Sequence, residues 1–211
     1  ISYERHKKEP GSISYSVRQR RATITIMDPI DAEPLKPWDL DIERTVVVEL
    51  ALLHFAPFDY NAGDPRDLFE SQAVHSLAHA LVSLKRRGPT PGYVPQQERP
   101  DLVELLAFWR TVLRVADWDI VVRYERHMEN VGTCYAQEDY KRAIIKIVDP
   151  LDYQDPDRPY DVERTFVHEM VHLHLAMLKI RDKNHAHWMF EEQAVESFAR
   201  ALVEVRRKFA A

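Results

Sequence analysis

A single cysteine, Cys134, leaves no partner for an internal disulfide and suits a reducing compartment. No apolar run approaches the roughly 18 residues that cross a bilayer, so a membrane span is not expected. Positive charge is not in excess. Lys and Arg total 29 against 34 Asp and Glu, for a net charge of −5. That balance argues against a broad phosphate-binding surface, and with it against nucleic acid as a partner. What is present fits a soluble globular protein: 45% hydrophobic and 30% charged residues, too apolar for wholesale disorder. A length of 211 residues allows one large domain or two small ones.

The chain repeats itself. Tyr3-Glu4-Arg5-His6 returns as Tyr124-Glu125-Arg126-His127, and ATITIMDPID from Ala22 returns as AIIKIVDPLD from Ala143. DIERTVVVELALLH from Asp41 matches DVERTFVHEMVHLH from Asp161, and ESQAVHSLAHALVSLKRR from Glu70 matches EEQAVESFARALVEVRRK from Glu191. Four collinear blocks imply a tandem duplication, two copies of one small unit. The expected division is 1–90 for the first copy, a Pro-rich linker at 91–100, and 101–211 for the second. The second copy opens on an amphipathic helix capped by Asp101, for which the first has no counterpart. Because Ile1 falls partway into the repeat unit, a truncated first copy is expected at this end, and the start on Ile rather than Met leaves a removed leader open. The expected location is the cytoplasm or a virion, with secretion left open.

Periodicity predicts strands over Trp118–Glu125, Gly132–Gln137 and Arg142–Val148. It predicts one helix from Asp161 to about Ile180 and another over Phe190–Arg207. Each copy is then an antiparallel three-stranded sheet followed by helices, an α+β unit.

His168-Glu169-Met170-Val171-His172 spells HExxH. Residues four apart share a helix face, so His168 and His172 can offer imidazole nitrogens to one zinc ion. Glu169 lies beside that face, where a carboxylate can act as general base. Glu192, on the next helix, offers a third ligand, and three protein ligands are the pattern of a catalytic rather than a structural zinc site. In the first copy His168 is matched by Val48, His172 by Leu52 and Glu192 by Ser71. Loss of all three together is what a defunct metal site predicts; Glu49, which matches Glu169, is retained.

With these residues, 101–211 resembles a minimal zinc metallopeptidase of the gluzincin type. It is similar to minigluzincins and, more loosely, to SprT-like and phage-encoded metallopeptidase-like proteins. The resemblance implies a zincin-like fold and hydrolysis of peptide or protein substrates. It also implies one Zn2+ per chain on His168, His172 and Glu192, with Glu169 as base. Glu196 stands where the family often has an acidic residue bonded to a ligand His, although Asp is more usual there. Glu191 replaces the Asn that often precedes the ligand Glu.

Several assignments stay open at this level. Glu191 is the main rival of Glu192 as ligand, and Glu196 the next. His174 projects away from the ligand face and recurs as His54, so it reads as structural. His185 and His187 are candidates for substrate contact from a loop. The strand Ala143–Val148, with Ile145 at its centre, is the candidate for pairing with an extended substrate. Cys134 reads as a small buried hydrophobe. The basic ends Lys85-Arg86-Arg87 and Arg206-Arg207-Lys208 read as favourable charge at helix C-termini. The competing functional class is a structural or assembly protein, for example within a virus-like particle, with a vestigial or stabilising zinc site.

Overall fold

Two small sheets and five helices form an α+β fold in the computed structural model, which describes residues 1–4, 9–16, 21–27, 41–55, 65–87, 99–153, 160–176 and 185–210. The chain runs β1 (Ser2–Glu4), β2 (Gly11–Ser16), β3 (Arg21–Met27), α1 (Ile42–Phe55) and α2 (Pro65–Arg87). It continues with α3 (Leu102–Val112), β4 (Asp119–Glu125), β5 (Gly132–Gln137), β6 (Arg142–Val148), α4 (Val162–Leu175) and α5 (His185–Ala210). The predicted linker falls largely outside the described residues. Its end is anchored: Arg99 pairs with Asp149 at 3.1 Å, and the Tyr124 hydroxyl donates to the Pro100 carbonyl at 2.8 Å.

The sheets are mixed, not antiparallel as expected. Their orders are β1-β3-β2 and β4-β6-β5, with the third strand of each in the middle. β4 runs parallel to β6, and β5 antiparallel to it. Strand periodicity reports which face is buried, not which neighbour a strand takes, so the order was not readable from the sequence. The register is shared. Glu4 faces Met27 as Glu125 faces Val148, and Gly11 faces Ile26 as Gly132 faces Ile147. Being central, β6 buries Ala143, Ile145 and Ile147 against the helices.

The basic ends do more than complement a helix C-terminus. Asp161 caps α4 by accepting from the Arg164 amide at 3.0 Å, and both its oxygens accept from the Arg207 guanidinium at 2.7 Å. Asp41 accepts from the Arg44 amide at 3.1 Å and from Arg86 at 2.7 and 2.8 Å. In each half the last turn of one helix thus clamps the first turn of the helix before it. Burial raises the Asp161 carboxyl, but Arg207 and the Arg164 amide outweigh it and hold the group below the usual range. One apolar core spans both halves, from Val74 and Leu77 on α2 to Trp109, Phe166 and Leu202. At the seam the His54 ring lies 5.4 Å from that of Phe198.

Gly132 sets the approach of β5 to α4. A Cβ there would stand 2.5 Å from Glu169 Oε1 and 2.9 Å from Thr165 Cγ2. Gly11 faces Thr45 and Glu49 in the same way. Gly132→Ala forces the Glu169 carboxylate and the Thr165 methyl to give way or β5 to move off the helix, and is expected to lower stability by about 1–3 kcal/mol, the usual cost of overpacking. Urea denaturation checks this; a midpoint equal to wild type would show that the contact yields freely.

Candidate metal centre

His168 and His172 stand one turn apart on α4, and α5 crosses in front of them carrying Glu192. The imidazole Nε2 atoms are 3.2 Å apart. Glu192 Oε2 lies 3.4 Å from His168 Nε2, and its Oε1 lies 3.5 Å from His172 Nε2. Zinc bonds of about 2.0–2.2 Å at tetrahedral angles place neighbouring donors roughly 3.3–3.5 Å apart. The two imidazole nitrogens and the two oxygens of one carboxylate, one oxygen toward each ring, therefore stand close to the spacing of a zinc tripod. Two imidazoles and one carboxylate are also a donor set that suits this ion.

The outward nitrogens are supported as well. His168 Nδ1 lies 3.5 Å from Glu196 Oε2, and His172 Nδ1 lies 3.4 Å from Glu191 Oε1. Glu196 is itself held by Arg164 and, at 3.5 Å, by Arg200. Carboxylates on the far ring nitrogens fix the tautomer and turn Nε2 toward the centre. Glu191 thus takes a supporting place on the outward nitrogen, and Glu192 the inward one. The imidazole of His168 holds the Glu192 carboxyl below its usual range, against the opposing effect of burial. Burial works against a charged His172, yet the Glu191, Glu169 and Glu192 carboxylates outweigh it and push its pKa up.

Glu169 is buried beneath β5, and burial raises its carboxyl pKa. The nearby imidazoles of His172 and His168 pull the other way. It lines the same cleft of about 1060 Å³ as the three candidate ligands, together with Thr133, Tyr160 and Trp188. The wall facing α4 is β5, an edge strand.

That placement corrects one expectation. β6 is paired on both sides and Ile145 is fully buried, so neither can meet a substrate. Among the described residues, the unpaired edge beside the cleft belongs to β5. His185 and His187 start α5 rather than lying in a loop, and their side chains lie outside the described residues. His174 is apart from the trio. Among the described residues its Nε2 is shielded without a hydrogen-bond partner, and burial depresses its pKa to about 4. Cys134 is half-buried on β5 and packs against the core. Among the cleft residues that were not anticipated are Arg164 and Trp188. Each stands four positions before a candidate ligand, His168 or Glu192, a spacing that could have flagged them.

At the matching places in the N-terminal half, Val48 is buried and Leu52 packs against the core. The Ser71 carbonyl accepts from His75 Nδ1 at 2.7 Å. Among the described residues, the three-ligand cluster found is His168, His172 and Glu192. Comparison of the chain with family models, with curated proteins and with solved structures returned no match.

Proposed function

We infer that the chain is a tandem repeat of a zincin-like unit whose C-terminal copy is a zinc endopeptidase. The observation that carries this reading is the convergence of two Nε2 atoms and a carboxylate at zinc spacing, in an open cleft that also holds a buried carboxylate. The presence of Glu169 alone would not suffice. Glu49 has the same seat under Gly11 although Val48 and Leu52 stand where the imidazoles would, so this glutamate also packs the strand against the helix.

His168, His172 and Glu192 would hold the ion, which when bound supplies Lewis acidity and lowers the pKa of water toward about 7. Glu169 accepts a proton from the attacking water at its carboxylate and returns it to the leaving amine. The edge of β5 offers backbone groups to an extended peptide, which fixes the scissile bond along the cleft. Glu196 and Glu191 keep the imidazoles oriented.

The reading is tested with a quenched-fluorescent peptide library. Zinc-loaded chain is expected to cleave a subset of sequences, to stop on chelation, and to recover with added zinc. Absence of cleavage by fully zinc-loaded chain would favour the assembly role with a stabilising site.

A further inference from the structure

On α4, Glu163, Val167, Met170 and His174 form one stripe, spaced i, i+4, i+7 and i+11. α3 meets this stripe at both ends. The Trp109 indole donates to Glu163 Oε1 at 3.2 Å, and the Leu113 backbone bonds to His174. Between these contacts Val167 and Met170 have no exposed surface. Beneath α3, Arg206 pairs with Glu163, and its guanidinium carbon lies 3.9 Å from the Phe108 ring centroid and 5.5 Å from that of Trp109.

The same stripe on α1 reads Glu43, Val47, Leu50 and His54. Leu50 is 47% exposed where Met170 is 0%. The side chain of Lys85, at the place of Arg206, is 55% exposed against 9%. His54 is exposed too. The acid–base pair is kept, since Lys85 bonds Glu43, but Leu50 beside it faces solvent, while Val47 is half-buried against the core.

We propose that this face of α1, with the end of α2, docks an amphipathic helix of the chemistry of α3. Such a helix carries apolar residues at i, i+3, i+7 and i+10, as Leu102, Leu105, Trp109 and Val112 do. Its indole N–H reaches Glu43 and its ring covers Lys85. The internal comparison selects this occupant: an apolar strip ending in an acid–base pair is covered, in the C-terminal half, by one helix of 11 residues.

The test joins a copy of segment 101–121 ahead of Ile1 in the full chain, so that the copied helix enters β1 as α3 enters β4. The graft is expected to raise Tm by about 5 °C, a shift typical of a few buried side chains. Amide exchange in α1 should slow tenfold or more. Substituting the graft's copies of Trp109 and Leu105, to Ala and Glu respectively, should remove both gains, as should Leu50→Glu. Unchanged Tm and exchange in the graft would overturn the proposal. So would a parent chain that sediments as a dimer and is split by Leu50→Glu, because the occupant would then be a second copy.

Discussion

Glu169→Gln is expected to lower peptide hydrolysis by about 10²–10⁴-fold, the range attributable to a positioned general base, while zinc content stays at the wild-type level. The amide keeps the shape that fits beneath Gly132, where the carboxylate already sits close to the strand. It cannot accept the proton, so the loss falls on kcat. Glu169 is not placed among the three donor atoms that converge on the centre, which is why metal should remain. Glu49 fills the same seat in the N-terminal half, so a control must separate lost chemistry from a packing defect. Glu49→Gln serves as the control: it should leave both activity and stability near wild type. If Glu169→Gln cleaves as fast as the parent, the base lies elsewhere.

Glu192→Ala is expected to weaken zinc binding by more than about 100-fold, whereas Glu191→Gln and Glu196→Gln should weaken it by about 10–100-fold, the usual cost of losing an outer partner. The distinction rests on which ring nitrogen each carboxylate faces. Glu192 reaches both Nε2 atoms, while Glu191 and Glu196 each reach one Nδ1. Titration against a competing chelator measures the three affinities. A larger loss in Glu191→Gln than in Glu192→Ala would exchange their places.

The sequence showed the elements and the His168–His172 pair because both depend on local periodicity. HExxH needs only a helix to bring His168 and His172 together, and α4 supplies it from Val162 to Leu175. Strands β5 and β6 match the predicted bounds, and Asp101 and Asp161 cap their helices as read. Strand order was not local. Nothing in the alternation of Ile145 and Ile147 tells a centre from an edge, so Ile145 was assigned to a substrate it cannot touch. The role of the basic ends was also hidden. Arg86 and Arg207 look like ordinary last-turn charges until antiparallel packing brings them to Asp41 and Asp161. Likewise, Glu191 and Glu192 could not be ranked by helix angle alone, because two imidazoles present four nitrogens and the neighbouring carboxylates use different ones.

The central claim is that one zinc ion sits on the C-terminal half and none on the N-terminal half. Elemental mass spectrometry on chain purified without chelator tests it most directly, with His168→Ala measured alongside. The account predicts one zinc per chain in wild type and a near-zero content in the variant. Two zinc ions per chain, none at all, or a full complement retained by His168→Ala would contradict it.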